Sequence, residues 1–337
     1  MIRITFKNVG QGDSIILEWK KSRKKKIGII DCKKNLGSNP ILDYIKEKEI
    51  KEISFLILSH PHLDHFSGFA ELIEHCIKNK VKIKYFLHTA NNTPSYWKAA
   101  VDSKEAETEI LRLFNIIRDA NSTGMKSHPI QADTINPDIN LDDEYFLKFI
   151  APTSIHLYNY ARNFDTPPFE EETGNKPNAN WLATVIKIYS KKHDGYILLT
   201  SDAKKETMFY DKKKDHNNSK SKLIIGQCPH HGAEGNFKNS FWKLINHEKN
   251  TPIVISVGTN IYGHPAERVI TDLHKNNYEI YSTNKVGSLY SLKITPVAKE
   301  TIIHLDTFGS IVPSLIKDKY NGDKIFDIDS LGKVTVC

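Results

Sequence analysis

The chain has 337 residues, enough for one large or two small domains, and its 39% hydrophobic and 26% charged residues exclude membrane-embedded, collagen-like and disordered classes. A net charge of +7, concentrated in basic runs at residues 20–26 and 212–222, would attract polyanions such as nucleic acid, although such runs are commonly solvated turns. No apolar run approaches the ~18 residues of a membrane span, and residues 1–6 lack a signal-peptide pattern, so we expect a cytoplasmic protein with no membrane association.

Strand patterns and helical spacings alternate in the first half of the chain. The strand patterns lie at residues 2–6, 14–18, 26–30, 53–58 and 83–87. The helical spacings lie at residues 41–48, 66–77 and 106–119. The basic run at 20–26 separates two of these strands and is predicted to form a hairpin turn. This order of elements predicts an α/β architecture.

The second half of the chain repeats this style. Its strand patterns lie at residues 145–150, 181–189, 196–200, 223–226, 253–257 and 288–294. Its helical spacings lie near residues 241–246 and 267–276. A loop rich in proline and glutamate at 164–176 is predicted to be a surface flap. Strands in both halves with helices outside them predict a layered sandwich, and no linker divides it into independent domains.

The strongest chemical signal comes directly after the apolar strand pattern at 53–58. His60, His62, Asp64 and His65 lie within six residues, in a segment that precedes the next helix. Neutral imidazole and carboxylate are the usual protein ligands for zinc and related divalent ions. Since His60 and His62 are two residues apart, they can point to the same side of an extended segment. This segment is therefore predicted to bind metal.

Two later strand patterns also end in side chains that can bind metal. Asp202 could bridge two cations, although an aspartate in such a place often caps the next helix. His230 and His231 follow another strand directly. Three strands that deliver such groups to one edge predict a shared metal site. Cys228 lies nearby, but a cysteine at a strand end is more often a small core residue than a ligand or nucleophile.

These motifs resemble the metallo-β-lactamase fold superfamily, and most closely the hydrolase domain of ComEC-type DNA-internalisation proteins. The pattern HxHxDH is matched in full by residues 60–65. Further matching stretches, in family order, are residues 8–14, 29–31, 199–202, 229–233 and 262–265. The resemblance covers residues 3–293. It implies a metallo-β-lactamase αββα four-layer sandwich, a single hydrolase domain over residues 1–337, with a C-terminal strand extension.

The resemblance also implies a dinuclear metal site. His60 and His62 would bind one ion, Asp64 and His65 the other, and Asp202 would bridge them. Two divalent ions, Zn or Mn, are expected. Asp13, in a glycine-rich stretch that precedes no helix, is predicted to lie in a tight turn beside the site as a partner of a ligand histidine.

The remaining roles follow from the same resemblance. The superfamily usually ends its ligand set with a histidine followed by glycine, so the resemblance assigns His231, which precedes Gly232, to the second ion. His230 is the alternative ligand, because adjacent residues of an extended segment point to opposite sides and only one easily reaches the ion. If His231 is the ligand, His230 faces the substrate. With His264 and Asp64 it forms the predicted catalytic set, in which either histidine would hydrogen-bond the substrate or protonate the leaving group. Many superfamily members have a further histidine where this chain has asparagines at 178–180, so a single ion, or manganese, also fits.

These features predict a metal-dependent hydrolase, favoured as a phosphodiesterase or nuclease that attacks with a metal-bound hydroxide. Its substrate would be nucleic acid or another phosphodiester. The membrane segments of ComEC are absent, which argues against DNA uptake. One alternative is a hydrolase of a small ester or lactone, similar to a phosphocholine esterase. Another is a subunit of a bacterial defence complex with an operon-encoded partner protein.

Overall fold

The computed structural model describes residues 1–89, 101, 103–133, 138–161, 178–210, 221–290, 304–305, 311–312 and 318–337. Its strands are β1 (Ile2–Phe6), β2 (Ile15–Lys21), β3 (Lys24–Ile30), β4 (Glu52–Ile53), β5 (Phe55–Leu58), β6 (Lys82–Ile83), β7 (Tyr85–His88), β8 (Lys126–Pro129), β9 (Ile139–Asn140), β10 (Tyr145–Ala151), β11 (Val185–Ser190), β12 (Gly195–Leu199), β13 (Lys222–Gln227), β14 (Thr251–Ile255), β15 (Tyr278–Ser282), β16 (His304–Leu305), β17 (Ile311–Val312), β18 (Lys324–Ile328) and β19 (Val334–Val336). Its helices are α1 (Pro40–Glu47), α2 (Leu63–Phe66), α3 (Phe69–Lys78), α4 (Lys104–Ser122), α5 (Ser154–Ala161), α6 (Lys205–Tyr210), α7 (Asn239–Leu244) and α8 (Glu267–Lys275). Short 3₁₀ turns occupy Ala179–Trp181, Pro229–Gly232 and Gly287–Leu289. Within these described ranges no helix is long and apolar enough to cross a membrane.

Two large sheets form the centre of the fold. The first has the strand order β19-β18-β1-β2-β3-β5-β7-β8, and the second has the order β15-β14-β13-β12-β11-β10-β9. Strands β3, β5, β7 and β8 run parallel to one another, as do β12, β13, β14 and β15. The carboxyl ends of each parallel set therefore lie at one edge of its sheet. Near the C-terminus β18 pairs with β1 and β19 pairs with β18, so the end of the chain returns to the first sheet.

Apolar side chains form three layers of core around the two sheets. One cluster lies between the sheets and includes Ile4, Ile57, Ile188 and Val254, each fully buried. A second cluster packs the first sheet against α1, α3 and α4, and a third packs the second sheet against α7 and α8. Each sheet thus buries both faces, as parallel strands with near-continuous apolar sequence require. The predicted αββα four-layer sandwich is confirmed.

Asn39 fixes how α1 approaches α3. Its Oδ1 accepts a hydrogen bond from the backbone of Leu42 at 3.1 Å and so caps the first turn of α1. Its Nδ2 donates to the carbonyl of Gly68, just before α3, at 2.9 Å. This one buried amide therefore joins two helices of the outer layer.

The hairpin predicted at 20–26 is present, but its turn is shorter than the basic run. Only Ser22 and Arg23 form the turn, and both have positive φ, while the flanking lysines pair across β2 and β3. Strand β3 has seven residues, so at ~3.3 Å per residue the hairpin lies roughly 20 Å from Asp31 at the other end of the strand. Lys25 and Lys26 form ion pairs with Glu18 and Glu52 at 2.7 and 2.6 Å.

Other boundaries also shift. The strand predicted at 181–189 begins at Val185, because the preceding residues form a 3₁₀ turn. The strand predicted at 288–294 begins inside the turn Gly287–Leu289, and its residues from 291 onward lie outside the described residues. The flap predicted at 164–176 and the basic residues 212–220 also lie outside them.

The packing of Gly28 gives a test of the first sheet. A Cβ at Gly28 would lie 2.1 Å from a ring atom of buried Phe55, whose ring stacks on Trp19 with centroids 5.7 Å apart. We expect Gly28→Ala to lower the free energy of unfolding by about 1–3 kcal/mol through overpacking. Denaturant titration measures this. Gly235→Ala is the matched control, since its Cβ meets nothing within 4 Å; equal effects of the two changes would contradict the packing described.

Candidate metal centre

The candidate site lies where the carboxyl ends of strands from both sheets meet. Strand β3 leads into Asp31, β5 into the segment 59–65, β12 into Asp202, and β13 into the turn Pro229–Gly232. The loop 8–14 between β1 and β2 joins them, because Asp13 donates its backbone N–H to the carbonyl of Asp64 at 3.1 Å. Parallel strands in two stacked sheets thus bring residues distant in sequence to one edge.

The first group of donor atoms comes from His60, His62 and Asp202. The Nε2 of His60 lies 3.0 Å from Nδ1 of His62 and 3.7 Å from Oδ2 of Asp202. His60 is fully buried and Asp202 is 1% exposed. The two predicted ligands of the first ion therefore lie together, and His60 faces one oxygen of the predicted bridging carboxylate.

The second group comes from His65, His231, Asp202 and Asp13, with Asp64 beside them. Nε2 of His65 and Nε2 of His231 lie 3.4 and 3.5 Å from the other oxygen of Asp202, Oδ1. Oδ1 and Oδ2 of Asp64 lie 3.7 Å from His65 and 3.3 Å from His231. Asp202 thus has one oxygen toward each group, which is the arrangement a bridging ligand requires.

The donor chemistry fits divalent ions. Four buried atoms of the second group have no hydrogen-bond partner: Asp13 Oδ1, His65 Nε2, Asp202 Oδ1 and His231 Nε2. Buried polar atoms without partners are costly, and a cation among them would satisfy several at once. Imidazole nitrogens and carboxylate oxygens suit zinc and other first-row ions. The residues present therefore fit the implied metal.

The histidine rings are oriented by groups behind them. Nδ1 of His65 lies 2.8 Å from Oδ2 of Asp31, and Nδ1 of His231 lies 2.7 Å from the carbonyl oxygen of Ser256. These acceptors place the proton on Nδ1 and leave Nε2 directed at the donor groups. Asp31 also accepts the backbone N–H and the hydroxyl of Ser59 at 2.8 and 2.7 Å.

Asp31, rather than the predicted Asp13, makes the close contact with a ligand histidine. Asp13 Oδ2 lies 3.7 Å from His65 and accepts a hydrogen bond from Gln227 at 3.0 Å. The other carboxylate oxygen of Asp13, Oδ1, has no hydrogen-bond partner, and Asp13 belongs to the second donor group instead. The signal for Asp31 was available, because an apolar strand ends in this carboxylate as β12 ends before Asp202, but only the spatial pairing reveals its partner.

Both histidines of the adjacent pair reach Asp202. His230 and His231 have positive φ of 48° and 55°, so they are not extended and need not point to opposite sides. Nε2 of His230 lies 3.3 Å from Oδ2 of Asp202, on the side of the first group. Such left-handed backbone is strained for a side-chain-bearing residue and is maintained only where surrounding contacts compensate. The expectation that only one of the pair reaches the site therefore does not hold.

The two asparagines of the segment 178–180 differ in position. Asn180 is buried, its Nδ2 lies 3.4 Å from Nδ1 of His230, and its Oδ1 has no hydrogen-bond partner. Asn178 is exposed and instead caps the 3₁₀ turn by accepting the N–H of Asn180 at 2.9 Å. Of the two, only Asn180 is placed to complete the first donor group.

Burial and opposite charges set the ionisation of the donor histidines. Burial lowers the pKa of His60 well below its usual value. Burial also opposes protonation of His65 and His231, but Asp202 and Asp64 outweigh it, raising the pKa of His65 well above its usual value and that of His231 to about 9. An ion bound among these groups would compete with protons for both imidazoles.

The carboxyl groups respond in the opposite sense. Burial alone would raise the pKa of Asp202, yet His230 and His231 hold it well below its usual range. Burial would likewise raise the pKa of Asp64, but neighbouring histidines, chiefly His65, lower it. Burial raises the pKa of Asp13 to about 6. All three are therefore ionised near neutral pH and available to a cation.

His264 lies beyond His230, with ring centroids 5.7 Å apart. Burial, together with the neighbouring His230 and His231, lowers its pKa to about 4. It is therefore neutral at pH 7, which suits a hydrogen bond to substrate better than proton donation by a charged imidazole. Cys228 is buried, and burial raises the pKa of its thiol, so it does not supply a thiolate nucleophile.

Comparison with known proteins bears on the first half of the chain. The model of the metallo-beta-lactamase superfamily matches residues 18–146, which include His60, His62, Asp64 and His65. Residues 18–146 are thus similar to the metallo-beta-lactamase superfamily. The matched region does not extend to Asp202. No curated protein matches the sequence.

Several solved structures are similar to this chain. Zn²⁺-bound PqqB from Methylobacterium extorquens is 8% identical over 84% of this chain and 98% of that chain, with a TM-score of 0.47. Unliganded yeast PDE1 is 10% identical over 84% and 98%, with a TM-score of 0.48. A diphosphatase from the PhnP family is 11% identical over 83% and 95%, with a TM-score of 0.42. The narrower resemblance to ComEC-type proteins is not supported by these comparisons.

The orphaned donor atoms predict tight metal binding. Protein purified without chelator should contain at least one equivalent of transition metal, and a hundredfold excess of Zn or Mn over its dissociation constant should add ~2.7 kcal/mol to the free energy of unfolding. Asp202→Asn should lose both effects, whereas His274→Ala, exposed on α8, should retain them. Elemental analysis and thermal melting measure this. Less than a tenth of an equivalent, with no thermal shift on adding either metal, would refute the assignment.

Proposed function

We propose that this metallo-β-lactamase-fold chain is a metal-dependent hydrolase whose substrate is a phosphodiester. The observation that carries the proposal is the position of Asp202, with one oxygen facing His60 and the other facing His65 and His231. Divalent ions held by these groups would lower the pKa of a coordinated water toward ~7 and neutralise charge on a phosphoryl oxygen. No protein nucleophile is then required.

Lys33 supports an anionic substrate. Its side chain lies over Gly12, where a Cβ would meet Lys33 Cδ at 2.4 Å and Asp64 Cβ at 2.9 Å. Its ammonium group donates a hydrogen bond to the carbonyl of Val9 at 2.9 Å. This contact fixes the positive charge of Lys33 near Asp64, beside the second donor group. Burial lowers the pKa of Lys33, while Asp64 opposes that change. A phosphodiester bound at the donor groups would therefore meet a positioned positive charge.

The other side of the site offers further hydrogen-bonding groups. His264 is neutral at pH 7 because its pKa is about 4, so it can donate a hydrogen bond to a substrate or leaving-group oxygen. His230 lies between His264 and Asp202 and extends this polar wall toward the first donor group. The roles of these two residues are thus to bind and orient the substrate, with Asp64, His65 and His231 opposite them.

A short substrate agrees better with the surface charge than a long polynucleotide does. The basic run at 20–26 lies at the amino end of β3, whereas the donor groups lie beyond its carboxyl end. Its lysines Lys25 and Lys26 are paired with glutamates. The run at 20–26 therefore does not support binding of nucleic acid at the site, and a polynucleotide is only one member of the phosphodiester class.

The proposal is tested by hydrolysis of bis-p-nitrophenyl phosphate, a cyclic dinucleotide, single-stranded DNA, RNA and a neutral lactone in the presence of Mn or Zn. We expect turnover of at least one phosphodiester, lost in His62→Ala and Asp64→Ala. Cys228→Ser should be nearly silent, because its thiol stays protonated. Hydrolysis of the lactone alone would favour the small-ester alternative, and a large loss in a well-folded Cys228→Ser protein would point to a thiol mechanism.

Lys33 provides a separate prediction about substrate charge. Lys33→Met should raise KM for an anionic phosphodiester about tenfold with little change in kcat, because a charge-assisted hydrogen bond is lost. Lys33→Arg should recover part of the loss. The matched control is Lys34→Met, whose ammonium group instead lies 3.6 Å from Glu71. Steady-state kinetics distinguish these outcomes, and equal KM values for the Lys33→Met and Lys34→Met proteins would remove Lys33 from substrate binding.

A further inference from the structure

The loop 258–265, between β14 and α8, presents large side chains to solvent beside the donor groups. Ile261 is 94% exposed and Tyr262 is 69% exposed. Exposed side chains of this size are common singly, whereas adjacent ones beside a polar site form a surface on which a ligand can bind.

Asn260 holds this loop in one shape. Its Nδ2 donates to the carbonyls of Gly258 and His264 at 2.8 and 2.9 Å. Its Oδ1 accepts the backbone N–H groups of Tyr262 and His264 at 3.1 and 3.0 Å. A single amide therefore makes four hydrogen bonds across the loop, so the exposed side chains are presented on a preorganised backbone.

The same loop is anchored to the segments that carry the donor groups. Gly258 donates its N–H to Gln11 Oε1 at 3.3 Å, and a Cβ at Gly258 would lie 2.3 Å from the backbone of Gly10 and Gln11. The N–H of Ala266 donates to the carbonyl of Gly232, next to His231, at 3.0 Å. The position of the loop relative to the metal-ligand segments is thus determined by packing on both sides.

Tyr262, His264 and His230 form a row of rings. Tyr262 is the outermost ring, and the innermost ring, His230, lies beside Asp202. The ring of Tyr262 stacks on that of His264, with centroids 5.7 Å apart and planes 26° from parallel. His264 contacts His230 at the same centroid distance, and Nε2 of His230 lies 3.3 Å from Asp202. One face of the tyrosine is covered by this stack, while the side chain stays largely exposed.

We propose that Tyr262 is a stacking platform for the base of a nucleotide substrate, an inference that rests on the proposed phosphodiesterase function. A rigid aromatic side chain with an accessible face stacks on nucleobases without selecting among them. With the phosphate at the donor groups and Lys33 beside them, a base attached to that phosphate would extend outward along the row of rings. The substrate class is therefore a nucleotide phosphodiester.

The experiment compares binding of AMP and of ribose 5-phosphate, which lacks the base, to the metal-loaded protein by calorimetry. Wild type should bind AMP roughly 5- to 100-fold more tightly than ribose 5-phosphate. Tyr262→Ala should abolish this preference and leave ribose 5-phosphate binding unchanged, while Tyr262→Phe should keep it. Tyr85→Ala, at the amino end of β7 and so at the opposite edge of the sheet, is the matched control and should behave as wild type.

The two proposals fail in different ways. Equal binding of AMP and ribose 5-phosphate by wild type, or a full preference for AMP in a well-folded Tyr262→Ala protein, would overturn the platform while phosphodiester hydrolysis continued. Absence of phosphodiester turnover together with absence of binding of either phosphate would overturn the proposed function and the platform with it. Tighter binding of a carbohydrate or acyl phosphate than of AMP, lost in Tyr262→Ala, would assign the platform to a different ligand and refute the nucleotide class.

Discussion

The structure of the site depends on one buried carboxylate. Asp202 is 1% exposed, and a charge removed from water to this extent requires compensation by opposite charge or hydrogen bonds. Histidines from two segments supply part of it, because His60 and His230 face one oxygen while His65 and His231 face the other. The oxygen Oδ1 nevertheless has no hydrogen-bond partner. A cation on each side would complete the compensation, which makes the donor groups and the carboxylate mutually dependent.

Buried hydrogen bonds around the site hold Asp202 and the neighbouring histidines in position. Gln227 accepts the N–H groups of Thr200 and Ser201 at 2.9 and 3.0 Å, just before Asp202, and donates to Asp13 at 3.0 Å. Ser59 links the two sheets, since it donates to Asp31 and accepts from the hydroxyl of Ser201 at 2.8 Å. These buried polar contacts join strand ends of both sheets, so the stacking of the sheets and the geometry of the site are specified together.

Features that depend on local residue patterns could be predicted from the sequence, whereas contacts that depend on tertiary packing could not. The segment His60–His65 was predictable because ligand-competent side chains are concentrated within one turn after an apolar strand, and the four layers followed from the alternation of elements. The partner of His65 was not, because Asp31 meets it only when β3 pairs with β5. Likewise the left-handed backbone of His230 and His231 is imposed by the turn after β13 and leaves no pattern in the residue types.

The position of the lysines in the β2–β3 hairpin relative to the site also depends on packing rather than on local sequence. Their spacing indicates a charged exposed segment, but whether that segment lies near the site depends on strand direction, and β3 carries them away from it. Substrate charge is better read from Lys33, a single residue whose position depends on the loop 8–14 packing against Asp64. The proposed substrate class therefore rests on charge near the donor groups rather than on net charge.

The most direct test of this account is a crystal structure of the protein soaked with Mn or Zn, with the ions located by anomalous scattering. The account predicts an ion peak within ligand distance of Asp202, bounded either by His60 and His62 or by His65 and His231, and a second peak on the other side of the same carboxylate at full loading. Ions bound elsewhere, or an Asp202 carboxylate that remains outside the coordination of every ion, would contradict it.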